Sequence, residues 1–343
     1  MQGERAQNTA TRAVTLAVAL TLTLTPILTL AIFQSDKVSA RAQQISNMVH
    51  EALEEAAGSS SPQNQAALYG AARDVLDLFR AIVVARHAKT LEQVPQLCAI
   101  FHNDCLYLAH QCLSLGHTYK GRLQAPLTHT ATFVDMVPPF RQLGERYFSV
   151  QMMKQQLELT ECLNCANGFT RLDNKDAYAA ANKSMMKVRH LLTHLGRAWQ
   201  EVLPTGLFLR SIGALIDHVG QLMLKEVAKL DDLEQVSIGH MADLVAILVQ
   251  ISRELLEGTH IPCNIANVVS CWPKLEAVAG LMEVMKAPEH YVHGARRGQL
   301  AVVLTNLNNA FIEEEPQEMV QRLVSYDKEL CVTITQRMQE LAS

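Results

Sequence analysis

Apolar residues recur at alternating steps of three and four positions along most of the chain after residue 37, which is the spacing of one buried face of an α-helix. The longest of these stripes extends from Tyr178 to Val202 and stops before Pro204. A sustained heptad pattern of this kind predicts a long helix with one buried side. Its members are Tyr178, Ala181, Met185, Val188, Leu192, Leu195, Trp199 and Val202.

Capping signals predict three helices near the start of this region. The first extends over residues 38–57, and the second begins at Pro62, with Ser61 as the residue that caps it. Thr90 and Gln93 predict a capping box at the start of a third helix, because a hydroxyl and an amide three positions apart can satisfy two free backbone N–H groups.

A fourth helix is predicted to begin at Pro138 and Pro139 and to end near residue 166. Its predicted inward face consists of Phe140, Leu143, Tyr147, Val150 and Leu157. After the long heptad helix, further helices are predicted within residues 212–230, 241–255, 272–285, 297–311 and 316–341. No strand–turn–strand unit is predicted after residue 35. The sequence therefore predicts an all-α protein, an elongated bundle of about ten helices.

The amino-terminal segment departs from this pattern. Residues 13–33 carry no charge over 21 positions, enough to span a bilayer, and Arg5 and Arg12 precede them as in a signal peptide. A central proline and five threonines weaken a membrane-spanning helix. We interpret residues 1–34 as a dispensable apolar extension and residues 35–343 as the helical domain. The alternative is a membrane-anchored or secreted helical protein that uses residues 13–33.

Composition narrows the classes of function. Apolar residues make up 49% of the chain and charged residues 19%, which excludes an intrinsically disordered protein. The net charge of −4 argues against a nucleic-acid binder, because such a protein needs an excess of basic residues to neutralise phosphates. The eight cysteines, between Cys98 and Cys331, are predicted to be reduced thiols of a cytosolic protein.

Soft metal ligands are concentrated on the third helix between Cys98 and His117. Zinc could bind such a set, which would make the chain a zinc-dependent enzyme. Because the helix is apolar nearly all round, we instead predict that its cysteines are ordinary core residues. The ligands within about 80° of one another are Cys98, His102, Cys105 and Cys112, with His110 and His117 offset by about a third of a turn.

Three other features are interpreted as structural. Cys162 and Cys165 form a lone CxxC at a helix end, whereas redox motifs of this spacing lie at a strand-to-helix junction. His190 and His194 are four residues apart on the predicted solvated face of the heptad helix. Residues 133–141 form an apolar segment that two prolines constrain, which predicts a structural corner. The alternative for that segment is an exposed docking site.

The chain contains no glycine-rich phosphate loop, no GxSxG elbow and no HExxH motif. We therefore predict a protein that is not an enzyme and that has no catalytic residues, no cofactor, no metal and no direct small-molecule ligand. The residues that bind partners are left unassigned by the sequence.

Residues 97–117, which read LCAIFHNDCLYLAHQCLSLGH, resemble a block in the carboxyl-terminal half of the Zeste White ten family. Four further segments resemble the family in the same order, and together the matches cover about residues 38–288. These segments are Ala71–Leu78, Thr132–Gly144, Trp199–Pro204 and Trp272–Pro288.

This resemblance implies a fold similar to the helical-rod subunits of vesicle tethering complexes, and a non-catalytic scaffold that serves two assemblies. At kinetochores the family joins Rough Deal and Zwilch, recruits dynein–dynactin and supports the spindle checkpoint. At the endoplasmic reticulum (ER) it joins the neuroblastoma-amplified protein and a Rad-fifty interactor, and tethers Golgi-derived vesicles through SNAREs. The implied location is cytoplasmic, peripheral on the ER in interphase and at the kinetochore and spindle in mitosis.

Overall fold

The computed structural model describes residues 37–166, 169–230, 234–258, 263–292, 297–311, 320, 324 and 328–342. The prediction of an all-α bundle is confirmed, because these residues form α-helices joined by short turns and contain no strand. The extension 1–34 and the candidate membrane segment 13–33 lie outside the described residues.

The chain forms two compact units. Unit 1 takes in described residues 37–153 together with 198–204. Helices α1, α2 and α3 pack against one another there and bury an apolar core with the start of α5. The helices that begin in unit 1 are α1 (Ala40–Gly58), α2 (Pro62–Gln93), α3 (Pro95–Tyr119), α4 (Leu127–Thr130) and α5 (Val137–Asn164), with 3-10 turns at Lys120–Arg122 and Val134–Met136.

Unit 2 takes in residues 154–197 and the described part of the chain from 205 onward. Its later helices pack in sequence, α7 on α8, α8 on α9, α9 on α11 and α11 on α12. The helices are α6 (Lys175–Gln200), α7 (Thr205–Val227), α8 (Gln235–Leu256), α9 (Trp272–Lys286), α10 (Pro288–Val292), α11 (Arg297–Ala310) and α12 (Lys328–Ala342), with a 3-10 turn at Ile265–Asn267.

One of the two capping predictions is confirmed and the other is wrong. Ser61 caps α2, since its Oγ accepts a hydrogen bond from the backbone N–H of Asn64. The capping box at Thr90 and Gln93 does not exist, because α2 continues through both residues to Gln93. No breaker interrupts the preceding turns, and buried Leu91 holds the last turn of α2 in the core. Helix α3 begins at Pro95, and no side chain caps it.

The predicted inward face of α5 is also wrong for most of its length. Leu143, Tyr147 and Val150 are only half-buried, and Leu157 is 59% exposed. The face that α5 buries is rotated by about 100°, one residue along the helix. It includes a glycine and two glutamines, which a count of apolar residues passes over. The buried residues are Phe140, Gly144, Phe148, Gln151, Gln155, Leu159 and Leu163.

Helix α6 buries the predicted heptad stripe. Its members from Ala181 to Trp199 are each at most 2% exposed, and the helix ends at Gln200, before Pro204. Helices α7 and α8 are long and apolar enough to cross a membrane by length and composition alone. Their most apolar windows are 56% and 50% buried inside the protein, as is typical of core helices. The last predicted helix covers residues 316–341. Its continuously described part, from Lys328 onward, forms helix α12.

Candidate functional site

The cysteines of α3 lie in the interior of unit 1. Cys98, Cys105 and Cys112 are each 0% exposed, which confirms the prediction that they are core residues. Burial raises the pKa of Cys98 and of Cys112 to about 12, and it raises that of Cys105 well above its ordinary value. Because the thiolate is the form that attacks substrates and binds metals, these thiols are inert near neutral pH.

The two outer histidines of the same helix, His110 and His117, are exposed, whereas His102 is buried. Burial lowers the pKa of His102, so its ring is neutral at pH 7. The described residues contain no group of three or more His, Cys, Asp or Glu side chains that could hold a metal ion. The helix therefore does not bring the ligands between Cys98 and His117 together as a zinc site would require.

The same helix carries a polar cluster that sequence reasoning missed. The side chain of Asn103 donates to the carbonyl of Lys37 (2.9 Å) and to that of Val202 (2.8 Å). The carboxylate of Asp104 accepts from the backbone N–H of Ser39 (2.8 Å) and from its hydroxyl (2.7 Å). We call this the polar clasp; its residues are Lys37, Ser39, Asn103, Asp104, Val202 and Leu203.

The polar clasp joins three parts of unit 1 that are distant in sequence. The Lys37 ammonium donates to the carbonyl of Leu203 (2.6 Å), so the segment before α1 and the segment after α6 contact each other as well as α3. Nearby, the indole N–H of Trp199 donates to the carbonyl of Pro95 (3.1 Å). Most of these partners are backbone carbonyls, which would lack hydrogen bonds if buried alone.

Asp104 is the electrostatically unusual member of the polar clasp. Burial raises its pKa to about 7, although the two hydrogen bonds from Ser39 oppose that rise. A carboxyl group that titrates near neutral pH can act as a general acid or base. Here its carboxylate accepts hydrogen bonds from the backbone N–H and the hydroxyl of Ser39, the residue that caps α1. We therefore assign Asp104 a structural role, because it fixes the start of α1 on α3.

The apolar segment 133–141 is a corner, as the sequence predicted. Phe133, Met136 and Phe140 are buried, whereas Val134 is 52% exposed and Pro138 is exposed as well. The guanidinium of Arg73 on α2 donates to the carbonyl of Thr132 (2.9 Å), forms an ion pair with the Asp135 carboxylate and lies over the Phe133 ring. These contacts close the corner against α2, so it does not present an apolar docking surface.

The two remaining candidate pairs do not assemble into a larger site within the described residues. Cys162 is half-buried near the end of α5, and Cys165 is an exposed free thiol just after it. His190 and His194 are both exposed on α6, with their ring centroids 6.5 Å apart.

The fold and these clusters define a class of protein: an all-α bundle whose buried polar groups and thiols serve packing. Comparison with known proteins identifies the family. Residues 32–161 match the family described as "Centromere/kinetochore protein zw10, C-terminal", and residues 183–294 match the "ZW10 C-terminal helical domain". The chain belongs to the zw10 family and carries its carboxyl-terminal domains, which confirms the resemblance found in the sequence.

Curated relatives from animals and from a plant share this region. The "Centromere/kinetochore protein zw10 homolog" of Rattus norvegicus is 37% identical over 198 residues, which is 57% of this chain and 25% of the rat protein. That of Arabidopsis thaliana is 26% identical over 229 residues, 66% of this chain and 31% of the plant protein. The Drosophila melanogaster protein is 22% identical over 261 residues, 74% of this chain and 33% of its own length. The chain thus spans a quarter to a third of these relatives.

Proposed function

We propose that this chain is a non-catalytic scaffold part of a centromere and kinetochore protein. The observation that carries the proposal is the match of two zw10 carboxyl-terminal domains to residues 32–161 and 183–294, together with relatives that are named as centromere and kinetochore proteins. The inert thiols of α3 and the backbone-directed polar clasp support a structural role, because both stabilise packing.

We further propose that the chain takes part in two assemblies, one in mitosis and one in interphase. In mitosis the chain joins Rough Deal and Zwilch at unattached kinetochores and contributes to dynein–dynactin recruitment and to the spindle checkpoint. In interphase it joins the neuroblastoma-amplified protein and a Rad-fifty interactor on the ER, and takes part in SNARE-linked tethering of Golgi-derived vesicles. Both roles fit a helical protein that offers extended surfaces to partners. The chain covers only part of its relatives, so each partner has to be tested on this chain itself.

The test is affinity purification of the tagged chain from cells arrested in mitosis and from cells in interphase. We expect Rough Deal and Zwilch in the mitotic eluate, and the neuroblastoma-amplified protein and the Rad-fifty interactor in the interphase eluate. The matched control is Leu192→Asp, which places a charge in the buried face of α6 and should abolish recovery by unfolding unit 2.

Two outcomes would contradict the proposal. A folded chain that recovers none of these four proteins would rule out a scaffold role in either assembly. Retention of the chain on membranes after carbonate extraction, lost when residues 1–34 are deleted, would instead support a membrane-anchored protein that uses residues 13–33.

A further inference from the structure

The outward face of α6 carries a line of basic side chains at heptad spacing. Its residues, which we call the basic stripe, are Lys183, Lys187, His190, His194 and Arg197, and all five are exposed. They fall within about 80° of one another around the helix axis and extend over about 21 Å along it. The side chain of Met186, 48% exposed, lies beside them.

The opposite face of the same helix fixes the direction of the basic stripe. Met185, Val188 and Leu192 are at most 1% exposed and lie about 180° away from it, so α6 cannot rotate to hide the charges without exposing its apolar side. Within the described part of the chain, the two lysines and the arginine of the stripe form no ion pair. The two lysines, the arginine and the two histidines of the stripe therefore face outward.

Acidic side chains flank the basic stripe and keep it narrow. On one side, Glu254 of α8 lies 3.4 Å from the Arg189 guanidinium and accepts a hydrogen bond from Gln250. On the other side, Glu158 and Glu161 of α5 and Lys187 of the stripe all act on the thiol of Cys162. Burial raises the pKa of this thiol, the two glutamates add to the rise, and Lys187 opposes it. These two glutamates therefore lie close to the same thiol as the stripe's Lys187. A broad anionic surface would approach them along with the stripe.

We propose that the basic stripe is a docking site for an acidic amphipathic α-helix of a partner protein, which presents Asp or Glu side chains at matching heptad positions. A single helix can contact the stripe without covering Glu158 and Glu161 of α5, whereas a bilayer or a nucleic-acid duplex would also approach these two glutamates and be repelled by them. Met186 gives such a helix an apolar contact.

Binding should depend steeply on salt and on the whole set of charges, because each exposed ion pair contributes little by itself. The probe is a synthetic helical peptide with Glu at five heptad positions and Leu beside them, labelled for fluorescence anisotropy against the full chain. We expect the affinity to fall by about tenfold when NaCl is raised from about 50 to about 300 mM. Lys183→Glu combined with Lys187→Glu should weaken binding by at least about tenfold.

The matched control reverses the same number of charges elsewhere in unit 2. Arg210 and Lys225 on α7 are also exposed, and the Arg210→Glu, Lys225→Glu variant should change the affinity by less than about twofold. Lys183→Gln with Lys187→Gln, which neutralises without reversing charge, should give an intermediate loss. Circular dichroism would establish that each variant is folded as the parent is.

Four outcomes would overturn the proposal. The first is that the peptide does not bind, and the second is that the stripe and control variants lose equal affinity for it. The third is that a peptide of the same composition, with its glutamates scattered around the helix, binds equally well. The fourth is that either of two broad polyanions binds more tightly than the peptide. The broad polyanions are vesicles with about 20% phosphatidylserine and a short DNA duplex.

Discussion

Helices α5 and α6 are similar in length, with 28 and 26 residues, but they bury their faces by different means. Helix α6 packs on a continuous apolar stripe that extends from Ala181 to Trp199. Helix α5 buries Gly144, Gln151 and Gln155 among its aromatic and aliphatic residues, and it leaves Leu157 59% exposed. Burial on α6 therefore follows hydrophobicity, whereas burial on α5 follows the shape of the neighbouring elements.

Helix α3 belongs with α5 in this comparison. Its buried residues include His102, Asn103 and Asp104, and the ideal Cβ position of Gly144 lies 2.9 Å from the Cβ of Cys105 on α3. The two helices approach so closely that only a glycine fits at the crossing. A close crossing and a network of hydrogen bonds give unit 1 specific contacts, whereas α6 relies mainly on apolar area.

The same substitution should destabilise the protein strongly at α6 and hardly at all at α5. Leu192→Asp on α6 places a carboxylate at a position with 0% exposure, and we expect it to lower the free energy of unfolding by more than about 4 kcal/mol. Leu157→Asp on α5 should change it by less than about 0.5 kcal/mol, because that side chain is already mostly exposed. Thermal or urea denaturation of the two variants measures the difference. Similar losses in both would mean that Leu157 is buried in solution.

The second prediction concerns Asp104 in the polar clasp. Its pKa is raised to about 7 in the folded protein, from an ordinary value of 3.8. Between about pH 4 and pH 7 the folded state binds a proton more tightly than the unfolded state does, so stability falls as pH rises through this window. The loss is complete above pH 7. It should amount to about 4 kcal/mol, since each unit of pKa difference corresponds to about 1.4 kcal/mol.

Asp104→Asn isolates this effect. Burial lowers the pKa values of His87 and His102, so both histidines reduce stability as pH falls below about 6.5, in the opposite direction to Asp104. Their contribution is common to parent and variant and cancels in the difference. The difference in unfolding free energy, measured by urea denaturation from about pH 4 to about pH 8, should therefore show the Asp104 titration alone. A difference that does not vary with pH would show that folding does not raise the pKa of Asp104.

The sequence predicted the helices well because helix periodicity is a local property. It predicted the buried face of α6, where the apolar residues are the buried ones, and it failed for α5. Nothing local marks Gln151 as more buried than Leu157; that order depends on which neighbour packs on each side. The polar clasp was missed for the same reason, since Asn103 bonds to Lys37 and Val202, which are 66 and 99 residues away. The available signal was the run of three consecutive polar residues, His102, Asn103 and Asp104, inside a mostly apolar helix.

The third prediction tests the close crossing of α3 and α5. Gly144→Ala should destabilise the protein by about 1–3 kcal/mol, because the added methyl group would meet the Cys105 Cβ and the His102 carbonyl, and neither can move without shifting α3. Gly70→Ala on α2 is the control, since nothing lies within 4 Å of its added Cβ. That change should stabilise the protein by about 0.5–1 kcal/mol through helix propensity. Destabilisation by both variants would mean that the crossing is not the cause.

The fourth prediction has the smallest expected effect. It compares a buried amide side chain that has no hydrogen-bond partner with one that has two. Gln151 on α5 is 0% exposed, and neither of its amide atoms has a hydrogen-bond partner among the described residues. Gln151→Met should therefore raise the unfolding free energy by about 1 kcal/mol, because it removes an uncompensated desolvation cost and keeps the shape.

Gln65 on α2 is as deeply buried, but its amide donates to the Ser59 carbonyl (2.7 Å) and accepts from the Gln124 N–H (2.8 Å). Gln65→Met should lower the unfolding free energy by about 1–2 kcal/mol, since both backbone partners lose their hydrogen bonds. Denaturation curves for the pair give the two signs directly, and a loss in both variants would show that Gln151 is bonded in the folded protein.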